Sequence, residues 1–546
     1  MANVHFGFKE ILLKRLSWII LWQIFIQSFI LQFVASVNFS EDPLFWMITW
    51  VTNVFKPRFF VIFLFQLFLS AVCIVTKSTQ YLRVKQCDNV SRFRFICSKL
   101  SPYHFIWLLV YFLQGILSAI VFFIALKHYF VDPLNNEIQP EDNITETIII
   151  LLNDAIWMNL VFFFKDFIYH KSFKYFSLVQ QNHCVSMPTI FLVAKKASIK
   201  SFYYSFLFVV FYLITGHSFC SFICLSFSVK CNISYSIIFN PFVFYCLWLL
   251  NAFIFFNNLI LKLLFNIYLT AKIDFPIISS AGTKQHDVFT LKDAISTDNI
   301  PLIQYMGYYD LNVISQFDSS RRKEIFSLSY PGGHPYTWRE ISQEVLKLIT
   351  DTINRLEKIT SSNKSNISPD NSKPTIEKYY SKMRPLSMTH YIDEKSSNVN
   401  KQRKDTLFSK IANSLKSIRV IAYFAEEMTE KQIEFALQNN QALALACYSI
   451  SNLAAASKQD DKYGVVQQDL SNIITCLLQL NLALNKLVVV INKKPNSSIL
   501  QIKKFLASVV KSSLYKLSNN FGSYTRDLNL SAEDEKLFSS FVSFKN

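Results

Sequence analysis

Six separate apolar stretches occupy the first half of the chain, and any folded state has to accommodate them first. They run over residues 17–37, 59–75, 103–126, 147–164, 202–225 and 239–261. A helix of roughly 20 apolar residues crosses the hydrocarbon core of a bilayer, and a helix satisfies all of its own backbone polar groups there. Of 546 residues, 51% are hydrophobic and 16% aromatic, too apolar for one soluble enzyme of this size. The expected fold class is therefore all-α: a polytopic six-helix transmembrane domain over 1–270, then a mainly helical soluble C-terminal region. The first stretch follows Lys14 and Arg15, is longer than a signal-peptide core and shows no small-residue cleavage site. It is expected to stay as an anchor.

The net charge is +17, from 55 basic and 38 acidic residues. Such an excess fits nucleic acid, but it also arises when lysine and arginine flank membrane spans and meet anionic headgroups. The loops favour the second reading, with the lipid bilayer as partner and no direct nucleic acid. Lys9, Lys14, Arg15, Lys77, Arg83, Lys85, Arg92, Arg94, Lys99, Lys165, Lys171, Lys174, Lys195, Lys196, Lys200 and Lys272 fall on one side of the expected spans. Only Lys56, Arg58, Lys127 and Lys230 fall on the other. Lysine and arginine collect on the cytoplasmic side, so both termini are expected there, in cytoplasm or nucleoplasm. The opposite loops hold the glycosylation patterns at Asn38, Asn143 and Asn232, although the same pattern recurs at five sites expected in the cytosol.

Few residues suggest chemistry. Asp154, beside Asn153, lies inside the fourth stretch, where an ionisable group either marks an ion path or is buried against other helices. A transporter needs more intramembrane charge and broken helices than this chain shows, since Gly115 and Gly216 are nearly alone in the spans. His217 makes a membrane acyltransferase the leading enzyme alternative, yet its polar neighbours are only Thr215 and Ser218. No paired-cysteine, His-Glu-x-x-His or phosphate-loop pattern occurs, so catalytic, cofactor and metal residues are expected to be none. Ten cysteines are scattered over spans, basic loops and the C-terminal region with only Cys231 on the lumenal side, which does not suggest a disulfide framework.

Past Ala271 the chain turns polar. A membrane-proximal helical block is expected over 271–359, a disordered linker rich in Ser, Asn and Lys over 360–405, and a C-terminal helical domain over 406–546. Stripes at Ile411/Leu415/Ile418, Phe435/Leu443/Ile450 and Ile473/Leu477/Leu480/Leu484 predict three helices of a bundle. The 498–518 segment pairs a broad apolar face with Lys503, Lys504, Lys511 and Lys516. That pattern suits either the inside of a bundle or a membrane surface. Asp460 and Asp461 are candidate caps for the helix that follows them.

Within the proximal block stands Ser320-Arg321-Arg322-Lys323-Glu324-Ile325-Phe326, followed by Pro331-Gly332-Gly333-His334-Pro335-Tyr336-Thr337-Trp338. Pro-Gly-Gly is turn chemistry, and Thr337-x-x-Glu340 reads as a capping box that starts a helix. These residues, the upstream run 304–316 and the 462–469 tract with Tyr463, Gly464, Gln467 and Asp469 resemble the transmembrane nucleoporins of the nuclear-division-cycle family. The resemblance implies a multi-pass protein of the nuclear pore membrane that anchors the pore complex. Its implied partners are other pore membrane proteins and the membrane-proximal linker nucleoporins, with spindle pole body components in fungi. It marks Arg321, Arg322, Lys323, Phe326, Pro331, Gly332, Gly333, His334 and Trp338 as a signature. That signature either docks a partner or packs the soluble region against the spans.

Overall fold

The computed structural model describes residues 4–36, 42–82, 91–99, 102–131, 141–168, 187–227, 239–277, 289–297, 300–328, 333–365, 423, 429–491 and 497–543. Among them regular structure is helical, with no β-strand. The chain divides into two compact units. One comprises Met1–Val84, Pro102–Glu344 and Gln459–Tyr463; the other comprises Lys85–Ser101, Val345–Lys458 and Gly464–Asn546.

The first unit holds the apolar helices α1 (Val4–Ser36), α2 (Pro43–Val54), α3 (Pro57–Leu82), α5 (Pro102–Val131), α6 (Glu141–Ile168), α7 (Met187–Phe227) and α8 (Pro241–Tyr268); α4 (Arg92–Lys99) belongs to the second unit. Among the described residues, five stretches are long and apolar enough to cross a bilayer: Glu10–Phe33, His104–Ala125, Thr147–Lys165, Pro188–Gly216 and Pro241–Tyr268. The remaining expected span, the second at 59–75, is the longer arm of a bent pair, Phe45–Val54 with Phe59–Val75, at 76°. Its shorter arm, α2, occupies what the sequence suggested was a loop. With 12 residues, α2 is about 18 Å long and falls short of a core about 30 Å thick. Pro57 opens α3, where its missing N–H has no helical partner to lose. Trp50 holds the short arm to α1 through an edge contact with Phe29, 4.4 Å between centroids.

The fifth span also shifts. It was expected over 202–225, but α7 begins at Met187 and its qualifying stretch is Pro188–Gly216. Lys195, Lys196 and Lys200, assigned to a loop, are therefore helical. Lysine is a good helix former, and its flexible stem lets the charge reach water from an apolar helix.

Small and polar residues join these helices. A Cβ at Gly115 would lie 2.9 Å from the Ile156 Cα, so glycine is what lets α5 and α6 approach backbone to backbone. Between α1 and α3, Ser70 donates to Gln27 Oε1 at 3.1 Å, and Ser28 donates to Gln66 Oε1. Hydrogen bonds of this kind tie helices together where lipid offers no hydrophobic drive.

Beyond α8 the same unit continues through α9 (Leu291–Ser296), α10 (Pro301–Phe317), α11 (Ser319–Ile325) and the start of α12 (Tyr336–Ser365). The predicted capping box at Thr337 is not used, because α12 starts one residue earlier at Tyr336. Glu340 instead pairs with Lys292 at 2.5 Å. The reciprocal box occurs at α9, where the Thr290 side chain accepts from the Asp293 backbone and Asp293 accepts from the Thr290 N–H at 3.0 Å.

In the second unit, α13 (Thr429–Ala436), α14 (Asn440–Asp460), α15 (Leu470–Ile491), α16 (Ser497–Phe521) and α17 (Ala532–Val542) form a helical bundle. The single helix expected around Phe435 to Ile450 is broken, with Asn440 N–H turning back to the Leu437 carbonyl. Ile473, Leu477, Leu480, Leu484 and Leu487 of α15 are completely buried, as their spacing predicted. The apolar face of α16 is buried too, including Leu506, Val510, Leu514 and Leu517. Its Lys516 reaches Asn452 of α14 at 2.5 Å. The expected helix at 411–421 and the linker beyond Ser365 lie outside the described residues. Among the described residues, Cys73, Cys97, Cys246, Cys447 and Cys476 form no disulfide.

Candidate functional site

The signature arginines are positioned by a short helix with a well-made start. Asp318 caps α11 by accepting from the Arg321 N–H at 3.1 Å and from the Ser320 hydroxyl at 2.7 Å. Those two bonds hold the Asp318 carboxyl below its usual range. So capped, α11 turns Arg321 and Arg322 toward different partners.

Arg321 forks onto Asp310 of α10, with Nη1 and Nη2 each 2.9 Å from a carboxylate oxygen. Nη2 also donates to the Phe275 carbonyl at 2.5 Å, and the Phe275 N–H donates to Asp310 at 3.0 Å. Asp310 is fully buried, so this geometry satisfies a carboxylate that water cannot reach. Burial works against the Arg321 charge, but the hydrogen bond and charge of Asp310 outweigh it and raise its pKa.

Arg322 donates through Nε to Asp460 Oδ2 at 2.8 Å and through Nη1 to the Ile314 and Ser315 carbonyls at 3.3 and 3.4 Å. It thereby closes the C-terminal end of α10, where the Ile314 carbonyl also accepts from the Asp318 N–H at 3.4 Å and cations are favoured. Asp460, read from sequence as a cap, is the last residue of α14 and serves this ion pair. Asp461 accepts from the Tyr463 N–H at 3.0 Å.

Phe326 and Trp338 are buried and meet at 5.7 Å between ring centroids. Lys323 is exposed, His334 is exposed with its ring 6.1 Å from that of Tyr336, and Gly333 is half-buried. Pro331 and Gly332 lie outside the described residues. In the downstream tract the Tyr463 ring is exposed, and Gly464 has φ +66°, a left-handed backbone that favours glycine. The Gln467 N–H donates to the Gly464 carbonyl at 3.3 Å, and the Asp469 carbonyl accepts the first helical bond of α15 from Ile473.

A third arginine joins this block to the spans. Arg15 of α1 donates to the Leu269 carbonyl at 3.1 Å and to the Lys272 carbonyl at 3.3 Å, and lies 3.9 Å from the Met306 sulfur of α10. Sequence reasoning took Arg15 only as a topology marker. Asp310 also went unremarked, although it is the one acidic residue in α10. Such a carboxylate on an apolar helix needs a buried cation, and that was the available signal.

These polar groups are spent on one another, and no group of three metal-binding side chains occurs among the described residues. Asp154 is also engaged: Asn251 of α8 donates to both its oxygens, at 3.0 and 2.9 Å, and reaches Ser205 of α7 at 2.9 Å. Asn251 thereby joins α6, α7 and α8. The side chain of His217 lies outside the described residues.

The profile of the family described as Nucleoporin protein Ndc1-Nup matches residues 10–539, nearly the whole chain. The chain belongs to this nucleoporin family. Among its relatives, Nucleoporin NDC1 of Xenopus laevis is 24% identical over 56% of this chain and 62% of its own length. Nucleoporin NDC1 of Homo sapiens is 24% identical over 56% and 60%. Nucleoporin ndc-1 of Caenorhabditis elegans is 27% identical over 45% and 42%. The chain thus spans about 60% of the length of the vertebrate relatives it matches. In this Ndc1-Nup member the arginine pair of the signature and the short segment Gln459–Tyr463 fall in the same compact unit, joined by Arg322 and Asp460, whereas Gly464, Gln467 and Asp469 belong to the other unit.

Proposed function

We propose that this chain is a multi-pass protein of the nuclear pore membrane that anchors the pore complex and supports its assembly as a scaffold, without catalysis. The observation that carries the reading is the junction at Arg15, which bonds the first span to the end of α8 and to α10, the helix that Arg321 and Arg322 clasp. Load placed on the signature block is transmitted to the membrane helices through fixed contacts, as an anchor requires.

The exposed residues around the clasp, Phe317, Lys323 and Tyr463, supply a mixed apolar and basic surface for other pore membrane proteins or linker nucleoporins. In this reading the clasp holds the fold and its rim meets the partner. Both termini face cytoplasm or nucleoplasm, following the lysine and arginine bias of the loops. Insertion of the spindle pole body, implied by the fungal resemblance, is the same anchoring task at a second membrane opening.

A fluorescent fusion at the endogenous locus tests the reading. It should give a punctate nuclear rim that coincides with pore markers, and depletion should reduce pore number. Uniform endoplasmic reticulum signal with unchanged pores would remove the anchoring function. In sealed microsomes, tags at both ends should be digested by added protease; protection of either tag contradicts the stated orientation.

A further inference from the structure

Three helices of the membrane bundle are fastened at one level by aromatic rings. Phe255 of α8 meets Phe162 of α6 at 4.9 Å and Tyr204 of α7 at 5.2 Å between centroids. A turn away, toward the same end of the bundle, each helix carries a lysine: Lys165 on α6, Lys200 on α7 and, two turns on, Lys262 on α8. Lys196 lies one helical turn from Lys200 on the same face of α7. Lys200 is within electrostatic reach of Lys165, Lys196 and Lys262 together. All four side chains are exposed, and among the described residues none of them forms an ion pair.

Like charges at helical spacing destabilise a helix, and repulsion across packed helices adds to that cost. Loop topology accounts for lysines on one side of a bilayer; it does not require Lys165, Lys196 and Lys262, from three helices, to come within electrostatic reach of Lys200. An anion between them removes the repulsion. Ile199, three residues from Lys196 on one face of α7, is an exposed apolar residue at the border of the cluster, where acyl chains would lie. A soluble anion has no use for that surface. A monoester phosphate carries close to two negative charges at neutral pH and offers three acceptor oxygens, whereas a diester headgroup such as phosphatidylserine has one charged phosphate neutralised in part by its own amine.

We propose that Lys165, Lys196, Lys200 and Lys262 form an inter-helix site for the headgroup of a phosphomonoester lipid, phosphatidic acid or a phosphoinositide, in the leaflet bordering that end of α6 and α8. Basic pockets between membrane helices hold lipid headgroups by this chemistry. The site is separate from the α11 clasp and stands whether or not the anchoring function does.

The test uses the full chain in phosphatidylcholine nanodiscs doped equally with phosphatidic acid, phosphatidylinositol 4-phosphate and phosphatidylserine, with retained lipids counted by native mass spectrometry. Wild type should retain one of the two phosphomonoester lipids well above phosphatidylserine. Lys200→Gln and Lys262→Gln should each weaken that retention about fivefold, in line with the contribution of one basic residue near an anionic surface. Lys200→Arg should keep it. Equal retention of all three anionic lipids by wild type, or undiminished retention by the quadruple Lys→Gln protein, overturns the proposal. So does equal occupancy by soluble glycerol phosphate in detergent, which would make the lipid irrelevant. Because the wild-type lipid comparison involves no substitution, a variant that fails to fold leaves the proposal open to refutation.

Discussion

Arg322 Nε lies 2.8 Å from Asp460 Oδ2, and the two residues are 138 positions apart in the chain. Their side chains are 14% and 13% exposed, so the pair is shielded from water but not sealed. Two tracts that look independent in the sequence are thereby parts of one structure, with α10 closed between them by the same guanidinium. A double-mutant cycle with Arg322→Ala and Asp460→Ala should give a coupling of about 2 kcal/mol, the range for a hydrogen bond to a charged partner. Thermal unfolding of the detergent-solubilised chain measures it, and strictly additive losses would mean the contact carries no energy.

Asp310 and Arg321 are more deeply committed. Asp310→Asn keeps the shape but leaves Arg321 partly uncompensated beside a buried amide, at a loss of roughly 3–5 kcal/mol. Protein level in cells should fall accordingly. Replacing both partners by apolar residues, Asp310→Leu with Arg321→Met, should recover much of that loss, because the uncompensated charge disappears with its partner. If Asp310→Asn accumulates normally and unfolds at the wild-type temperature, the clasp is not what holds this block.

Gly115 offers a test inside the membrane. A new Cβ would sit 2.9 Å from the Ile156 Cα and 3.0 Å from the Ala155 carbonyl oxygen, both backbone atoms that cannot swing away. Gly115→Ala should therefore push α5 from α6 and destabilise by about 1–3 kcal/mol, the usual cost of overpacking. Engineered cysteine pairs across this contact should crosslink efficiently in wild type and poorly in the variant. Unchanged crosslinking would show that the helices are not packed at this point.

What the sequence made legible follows from the physics of each region. The stretches 103–126 and 147–164 coincide to within a residue with the apolar helical segments His104–Ala125 and Thr147–Lys165, because hydrophobic length alone marks them, whereas 239–261 stops seven residues short of the end of Pro241–Tyr268. The start of α7 was missed since lysines looked like a loop, and α2 was missed since 12 apolar residues do not announce a span. At the clasp, Arg321, Arg322, Phe326 and Trp338 were visible as a local cluster. Their partners Asp310, Phe275 and Asp460 were not, because each lies in a different element and hydrophobic periodicity carries no information about which distant acceptor a guanidinium will meet.

Two cysteines of the second unit should separate by reactivity. Cys97 of α4 is exposed, whereas Cys447 of α14 is completely buried and burial pushes its pKa up to about 12. Alkylation needs the thiolate, and a raised pKa means that form is scarce at every pH below the shifted value. With N-ethylmaleimide at neutral pH, Cys97 should be modified in the native chain while Cys447 stays protected until denaturant opens the bundle. Ser513 of α16 donates to the Cys447 carbonyl at 3.3 Å, so α14 and α16 must separate before the thiol is reached. Peptide mapping before and after denaturation reads both sites in one experiment. Modification of Cys447 at the rate of Cys97 in the native protein would mean that α14 is not the buried centre of this bundle.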